Sequence, residues 1–389
     1  MITVTTADSA LKSFYLDAVV DALNIEANPF LAQIEKSTND VVGKDVRRVV
    51  RYGVNGGVNA GTEAGALPAA SDGNYTQFIA PLKNLYGTIE ISDKALKASN
   101  GGDGAFVNLL NEEMNSLIKS ASYNLGRMLY GDGSGKLGTV TGYASNVVTL
   151  DSVKYVAEGM IVDVYDDEDS IVRSASGRKI IAVDKEAKTI TLSGAIISTS
   201  FVANGYSIYV QGSKDNEITG LKAIFSDGDL YGNSRAGKNW MKPYKAASVG
   251  EIDEMTVQTA IDAIEENSGS KIDFIVCSWG VKRALAKHFK QTSVSVNTME
   301  IKGGYKAMSF NGIPVVADRF CPEGTMYLLN TKDFKLHQLC DWQWLEGEDG
   351  KVLKQVPGTP TFTATLVKYA ELLCDRPCGQ GMLTGITEI

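Results

Sequence analysis

The glycine-rich segment 133–138, which follows the longest apolar pattern of the sequence, has the spacing of a phosphate-binding loop. Residues 133–138 read GSGKLG, which matches the GxGxxG pattern that brings backbone N–H groups to a pyrophosphate. A dinucleotide site needs a strand before the glycines and a helix after them, whereas here a predicted helix precedes them and β structure follows. A P-loop also fails, because Tyr130 replaces its leading glycine and Leu137 replaces its Ser or Thr. We therefore expect no nucleotide cofactor.

Residues of the types that bind zinc occur near the C-terminal end, at His337, Cys340, Cys374 and Cys378. A strand predicted over 334–344 would place Cys340 on the face that carries its large apolar residues and His337 on the opposite face. Ligands on opposite faces of one strand cannot meet at one ion, so the pattern favours no zinc site. The chain has five cysteines, an odd and scattered set that predicts no disulfide framework.

Cys277 ends a predicted strand just before a helix, where a thiolate could be stabilised, and His288 is a distant candidate base. With two histidines in the whole chain and no further motif, a buried structural cysteine fits this position better.

An acidic run occupies 163–169, with carboxylates at Asp163, Asp166, Asp167, Glu168 and Asp169. It lacks the central glycine and terminal glutamate of a calcium loop, which favours a solvated turn over a weak cation site. No catalytic set of residues remains, and we expect neither enzymatic activity nor a metal.

Composition limits the partners. The 389 residues carry a net charge of −8, which argues against a tightly held nucleic acid because phosphate binding needs clustered Lys and Arg. No apolar run is long enough to span a bilayer, and the first residues lack the pattern of a signal peptide. We expect a protein made in a cytoplasm, with no membrane contact.

The elements that would position any functional surface begin with one long helix, Ala105–Tyr130. Its apolar residues recur at three- and four-residue steps, which places them on one stripe of the helix. Asp103 is the candidate N-cap before the helix, and Gly131 and Gly133 mark its end.

Before this helix, residues 1–45 carry a helical pattern from Leu11 to Leu23 and an apolar patch from Phe30 to Ile34. This arm is too short to form its own core, so it docks on its own body or on a neighbouring chain.

Residues 45–52 and 75–91 read as the two strands of a hairpin, joined by a segment rich in glycine and alanine. Arg47, Arg48 and Arg51 lie on its first strand. Two interpretations stay open: a solvated edge hairpin, or an arm that reaches a neighbour.

Five or six short β runs between 138 and 212 predict a small closed or nearly closed antiparallel barrel, inserted as a unit. Beyond it, a helical stripe from Val257 to Ile264, a strand at 271–277 and a helix from Ser278 to Phe289 form an α/β layer. Further strands are predicted at 308–318, 325–329, 334–344 and 361–374, and the tail 377–389 is weakly patterned.

In their order, these parts resemble the major capsid protein of tailed bacteriophages with the Hong Kong 97-type fold. The strings KIDFIVCSWGVKRAL and FNGIPVVADRFCPEGTMYLLNTKDFKL are the most similar to that family. The resemblance implies an α+β fold with an N-terminal arm (1–45), an extended β-hairpin loop (46–90), a peripheral domain with a spine helix (91–137), an inserted β-barrel (138–213), an axial domain (214–333), and return strands with the tail (334–389).

The same resemblance implies a shell protein that assembles with copies of itself into pentamers and hexamers of an icosahedral virion capsid around double-stranded DNA. It also implies a separate scaffolding protein or none, a portal, and a shell held by packing, by ion pairs or by a cement or decoration protein, with packaged DNA contacted only weakly. The loop has no lysine between Lys44 and Lys83, so the covalent subunit links of some members are not expected. The residues expected at subunit interfaces are Arg47, Arg48, Arg51, Tyr52, Glu63, Tyr75 and Phe78.

Two alternatives remain at the level of sequence. One is an encapsulin-like compartment, which shares the fold and holds a cargo enzyme. The other is an α/β hydrolase or transferase with an accessory barrel, although the scarcity of histidine and the absence of a phosphate motif disfavour it.

Overall fold

The computed structural model describes residues 28–94, 105–166, 168, 170–172, 175–194, 205–291, 298–300, 306–347, 350 and 352–389. The helical pattern predicted from Leu11 to Leu23 and the cap predicted at Asp103 lie outside these residues.

The described residues form the following elements. The helices are α1 (Pro29–Gln33), α2 (Ala105–Tyr130), α3 (Leu221–Ile224), α4 (Glu254–Ser268) and α5 (Trp279–Gln291). The strands are β1 (Glu35–Ser37), β2 (Val41–Val42), β3 (Asp45–Arg51), β4 (Tyr75–Pro81), β5 (Lys83–Ser92), β6 (Lys136–Ala144), β7 (Val147–Leu150), β8 (Ile161–Tyr165), β9 (Arg178–Asp184), β10 (Thr189–Leu192), β11 (Ser207–Val210), β12 (Tyr244–Ala246), β13 (Phe274–Cys277), β14 (Thr298–Glu300), β15 (Lys306–Phe310), β16 (Ile313–Ala317), β17 (Met326–Leu329), β18 (Phe334–Trp344), β19 (Lys354–Gln355), β20 (Thr361–Cys374) and β21 (Gly381–Leu383). Short 3-10 helices lie at Asn239–Met241, Thr331–Asp333 and Pro377–Gly379.

The long helix α2 has the predicted bounds and runs about 39 Å at 1.5 Å per residue. Its stripe is buried at Met114, Ile118, Leu125 and Leu129. The helix ends where the N–H of Gly131 donates to the carbonyl of Met128. The stripe contributes to a core shared with α1, β5, β18 and β20.

The strand β20 organises the sheet beneath α2. One edge pairs with β5 from Thr361↔Ser92 to Ala370↔Lys83, and the other edge pairs with β18 and then β19, while β1 lies parallel to β18. The sequence assigned β5 to the hairpin, and the structure corrects this assignment. The chain turns after β4, and β5 joins the central sheet because its alternate residues Leu85, Ile89 and Ile91 can then be buried.

Six strands close into an antiparallel barrel in the order β10-β7-β6-β11-β8-β9. Its interior is lined by aliphatic side chains that form a core separate from the rest, including Val148, Val162, Val164, Ile180, Ile190 and Ile208. The barrel contacts the body of the protein through the loop before β8. There the Tyr155 hydroxyl donates to the carbonyl of Phe320 over 3.1 Å, and Lys154 donates to the carbonyl of Cys321.

A second sheet has the order β12-β21-β17-β13-β16-β15-β14. Ile275 and Cys277 of β13 pack under α4 and α5, whereas Phe274 and Val276 face the core around α2. Burial on both faces explains why β13 is continuously apolar. The single strand predicted at 308–318 is instead a hairpin of β15 and β16. Asn311 and Gly312 adopt positive φ angles of 48° and 83° at its turn, as Asn-Gly in a type I′ turn does.

A buried ion pair joins α2 to the segment that leaves the barrel. The guanidinium of Arg127 donates to both carboxylate oxygens of Glu217, at 2.9 Å for Nη1 to Oε2. Both side chains are almost completely buried, at 4% and 3% exposure. A buried charge that loses its partner costs far more than an exposed one, so this pair should be a sensitive point of the fold.

We expect Glu217→Ala to lower the free energy of unfolding by about 3–5 kcal/mol, because it leaves the Arg127 charge buried and unpaired. The matched control is Glu35→Ala, which breaks the ion pair between Glu35 and Lys335 at a position where Glu35 is 66% exposed. The control should lower the free energy of unfolding by less than about 1 kcal/mol. Urea unfolding of the unassembled protein measures both values, and equal losses would contradict the prediction.

Candidate assembly surface on the β-ribbon

The ribbon is defined here as β3 and β4 with the tip 52–74 that joins them. The two strands pair antiparallel from Asp45↔Pro81 to Arg51↔Tyr75, and β2 adds to the start of β3. Because side chains alternate along a strand, one face of the ribbon is buried and the other is exposed. The buried face carries Val46, Phe78 and Ala80. The outward face carries Arg47, Val49, Arg51, Tyr75, Gln77 and Ile79.

Aromatic packing fixes the ribbon to the body. The ring of Phe78 lies 5.4 Å from that of Tyr231 and 6.1 Å from that of Trp240, with the Trp240 ring nearly parallel. Tyr52 stacks on Trp240 at a centroid distance of 4.7 Å and an angle of 9°. Phe78, which was predicted at a subunit interface, is completely buried by its own chain in this structure.

Hydrogen bonds from one loop add to this attachment. The N–H of Ile79 donates to the carbonyl of Tyr231 over 3.0 Å, and the side-chain amide of Asn233 donates to the carbonyl of Gln77 over 2.8 Å. The roles of Tyr231, Asn233 and Trp240 were missed from the sequence. They lie in a segment without periodicity, and the only signal was the presence of two aromatic residues, Tyr231 and Trp240, nine positions apart in a stretch rich in Gly and Asn.

The three predicted arginines have different surroundings. Arg48 points inward and bridges Asp40 at 3.5 Å and Asp375 at 3.3 Å, so its charge is compensated within the chain. Arg47 lies on the outward face, 3.7 Å from Asp45 and half exposed. Arg51 also points outward and is exposed. The structure therefore leaves Arg47 and Arg51 as the arginines that a neighbouring molecule could contact.

The hydrogen bonds of the tip join residues of the tip to one another. A turn closes where the N–H of Gly65 donates to the carbonyl of Thr62, and the Asn55 amide donates to the carbonyl of Ser71. Glu63 is exposed in that turn, and Tyr75 is exposed at the start of β4. Val54, Val58 and Leu67 are 84%, 83% and 91% exposed. Burial of each such side chain is worth roughly 1.5–3 kcal/mol, so this tip is better suited to contact with another molecule than to water.

Buried titratable groups lie beneath the ribbon, in the central sheet. His337 is fully buried with its Nδ1 atom 3.9 Å from the carboxylate of Asp40, and burial lowers its pKa. Glu371 lies directly opposite His337 in the β18–β20 register and is also buried. Its carboxylate accepts the N–H of Thr219 at 2.6 Å, and burial raises its pKa to about 7.

The remaining chemical candidates occupy structural positions. Cys277 is fully buried, and burial raises its pKa to about 12, which is the opposite of an activated thiol. The Gly133–Gly138 string follows α2 and enters β6, as the sequence indicated. Asp163 is buried and accepts the N–H groups of Gly177 and Gly212.

Within the described residues, no group of histidine, cysteine or carboxylate side chains is close enough to hold a metal. No helix in the same part of the chain is both long and apolar enough to cross a membrane.

Comparison with solved structures identifies capsid proteins. The capsid asymmetric unit of cyanophage A-1(L) has a TM-score of 0.56 and 13% identity over 93% of each chain. The capsid of a native GTA particle has a TM-score of 0.51 and 11% identity over 93% of this chain and 92% of that one. An encapsulin complex from Synechococcus elongatus PCC 7942 has a TM-score of 0.49 and 9% identity over 93% and 89%, too low to support the compartment alternative.

The sequence matches no protein-family model and no curated protein. The structural likeness nevertheless shows that the chain has the mixed α/β fold of phage capsid proteins.

The pKa of Glu371 predicts how stability depends on pH. The folded state binds the Glu371 proton more tightly than the unfolded state, whose pKa is near 4.5, so stability falls as pH rises from about 4.5 to about 7. We expect Glu371→Gln to remove this dependence. It should raise the free energy of unfolding relative to the native chain by up to about 3 kcal/mol at pH 8, with little difference at pH 4.5.

Unfolding in urea at the two pH values measures this difference. The control is Glu90→Gln on β5, which makes the same chemical change at an exposed side chain. If Glu371→Gln and the native chain lose the same stability between pH 4.5 and 8, Glu371 is not the group responsible.

Proposed function

We propose that this chain, which has the fold of phage capsid proteins, is a major capsid protein that self-assembles into the icosahedral head shell of a tailed bacteriophage around double-stranded DNA. The observation that carries the proposal is the ribbon. The strands of the ribbon are fixed to the body by the stacking of Tyr52 on Trp240 and by the ion pair of Arg48 with Asp40. The tip of the ribbon exposes Val54, Val58 and Leu67 to water. An apolar tip on a fixed arm gains stability only when a second molecule covers it.

The proposed division of the chain follows this function. Residues 1–45 form the arm, and 46–90 form the extended loop. Within this loop, the ribbon ends with β4, and β5 belongs to the central sheet. Residues 91–137 form the peripheral domain, 214–333 the axial domain, and 334–389 the return strands and tail. The barrel at 138–213 is proposed as an inserted domain, which its separate core and its limited contact with the body support.

Shell formation would depend on many weak contacts. A contact that is weak alone becomes effective when each subunit makes several at once and the shell closes. The ribbon has no lysine between Lys44 and Lys83, which supports non-covalent contacts between the subunits of pentamers and hexamers. The outward charges of Arg47 and Arg51 and the exposed Tyr75 are proposed to contribute to these contacts.

The proposed partners are those of a shell that is assembled in a bacterial cytoplasm. They are other copies of the chain, a separate scaffolding protein, a portal and possible cement or decoration proteins. The net charge of −8 supports weak contact with packaged DNA, because a chain with an excess of carboxylates repels the phosphates overall. No catalytic role is proposed.

We expect the purified chain, concentrated with or without a scaffolding protein, to form capsomers or closed particles. Size-exclusion chromatography with light scattering would detect megadalton species, and electron microscopy would show their symmetry. A chain that stays monomeric at high concentration, with its ribbon tip resistant to protease, would overturn the proposed function.

Charge reversal at Arg47 and Arg51 tests the ribbon's part in assembly. We expect Arg47→Glu with Arg51→Glu to lower the yield of particles at least about tenfold without changing unfolding of the monomer, because both side chains are exposed. Arg48 is left unchanged, since Asp40 and Asp375 pair with it inside the chain. The control with the same change in net charge is Lys185→Glu with Lys188→Glu in the exposed β9–β10 turn. A normal yield of particles from the arginine variant would show that ion pairs of Arg47 and Arg51 on the outward face of the ribbon are not needed for assembly.

A further inference from the structure

His337 of β18 is fully buried at the place where the ribbon meets the central sheet of its own chain. The core around α2 takes the alternate residues of β18, such as Leu336, so His337 points to the opposite face of the sheet. Arg48 of β3 reaches the same place from the ribbon and bridges Asp40 and Asp375. The Nδ1 atom of His337 lies 3.9 Å from Asp40. We call these four side chains, Arg48, Asp40, Asp375 and His337, the ribbon cluster.

Within the ribbon cluster, one guanidinium ties three segments together. The Nη1 atom of Arg48 lies 3.5 Å from Asp40, in the turn between β1 and β2, and its Nη2 atom lies 3.3 Å from Asp375, just after β20. These two ion pairs hold β3 against the central sheet. The Oδ2 atom of Asp40 also accepts the hydroxyl of Ser37 over 3.3 Å, and it is the same atom that lies nearest to His337. This oxygen is therefore already shared before His337 uses it.

His337 is held in the cluster without hydrogen bonds. Neither ring nitrogen has a partner in the part of the chain that the structure describes, and 3.9 Å is too long for a hydrogen bond. A neutral imidazole tolerates this position better than an imidazolium, whose charge and two N–H donors would lose their hydration. Burial therefore lowers the pKa of His337, and although Asp40 and Asp375 oppose the shift, Arg48 and Lys335 add to it.

The groups around the cluster supply an imidazolium with no further counter-charge. Glu371 lies directly opposite His337 on β20, but its carboxyl group accepts the N–H of Thr219 over 2.6 Å. Burial raises the pKa of Glu371 to about 7, so this group is largely uncharged in the range below pH 6.5 where His337 would take up a proton. The ammonium of Lys335 is balanced by Glu35 at 3.1 Å.

The charges of the cluster itself favour proton uptake, and burial opposes it. One guanidinium faces two carboxylates, so a proton on His337 would cancel an excess negative charge. Strand β2 lies against β18, and β4 lies against β20, which keeps water away from the imidazole. Water can hydrate an imidazolium there only when these strands move off the central sheet. Uptake of the proton and movement of the ribbon are therefore coupled.

We propose that the ribbon cluster is a proton-dependent latch, in which proton uptake by His337 loosens the strands of the ribbon from the central sheet of their own chain. Two cations, His337 and Arg48, then compete for Oδ2 of Asp40, which weakens the ion pair that holds β3. The attached ribbon keeps His337 neutral, whereas a loosened ribbon lets its pKa return towards the ordinary value of 6.5. The latch is thus at full strength above pH 6.5 and weakens as the pH falls below this value. It acts within one chain and does not depend on the proposed function.

Amide hydrogen exchange of the unassembled full chain at pH 5 and pH 7.5, corrected for the intrinsic exchange rates, tests the latch. We expect the amides of β3 and β4 to exchange at least about threefold faster at pH 5 in the native chain, because the ribbon opens locally. The amides of β13, inside the second sheet, should not exchange faster at pH 5. In His337→Gln, whose side chain takes up no proton in this range, the pH difference in the ribbon should disappear. Glu371→Gln, which changes the residue opposite, should keep it.

A titration of the native chain makes the result independent of how well His337→Gln folds. The chain has two histidines, so labelling with ¹³C-histidine gives two imidazole signals, which His288→Asn assigns. We expect His337 to titrate below 6.5, with its titration accompanied by faster exchange in β3 and β4. Ribbon amides that exchange equally at both pH values, or a pH difference that persists in His337→Gln, would overturn the latch. Titration of His337 at 6.5 or above while the ribbon stays protected would do the same.

Discussion

The apolar stripe of α2 can be removed from water only if segments from most of the chain pack on it together. The core around it contains Phe30 from α1, Phe78 from β4, Leu85 from β5, Tyr231 from the loop after α3, and Leu372 from β20. The regions proposed as arm, extended loop, peripheral domain and axial domain thus contribute to one continuous core. Among the described residues, separate cores occur inside the barrel and under α4 and α5. This constraint decides which parts of the molecule can move: the tip 52–74 contributes no residue to any of the three cores.

Elements with a long regular pattern could be predicted from the sequence, but their partners could not. Periodicity over 26 residues was sufficient for α2, and β18 and β20 also have the predicted bounds. The assignment of β5 failed because alternation shows that a strand has a buried face and says nothing about which strand lies beside it. Its partner, β20, is more than 250 residues away in sequence, as in the pair Tyr86↔Val367. The turn at Asn311 and Gly312 had a readable signal, because Asn-Gly between apolar residues is typical of a two-residue hairpin turn, and the prediction of one strand over 308–318 overlooked it.

The same distinction explains the outcome at the ribbon. Residue types indicated a charged arm, but the period of two along β3 assigns Arg48 to the inner face and Arg47 and Arg51 to the outer one. The acidic partners of Arg48 come from positions 40 and 375, so no local pattern could have identified them. Trp240 is a similar case, because its contacts with Tyr52 and Phe78 depend on a loop more than 150 residues away from them.

The composition of the tip follows from the free energy of ordering it. Fixing the backbone of one residue costs roughly 1–2 kcal/mol, so a long flexible loop would lose most of its contact energy when it docks. Contacts within the tip, from Asn55 to Ser71 and from Gly65 to Thr62, already restrict it before any partner arrives. In the proposed shell, the exposed Val54, Val58 and Leu67 would supply non-directional attraction, and the charge of Glu63 would supply direction. Such an arm would bind weakly enough for a misplaced subunit to dissociate. It would become firmly held only when the neighbouring contacts form as well, because several weak contacts must then break together.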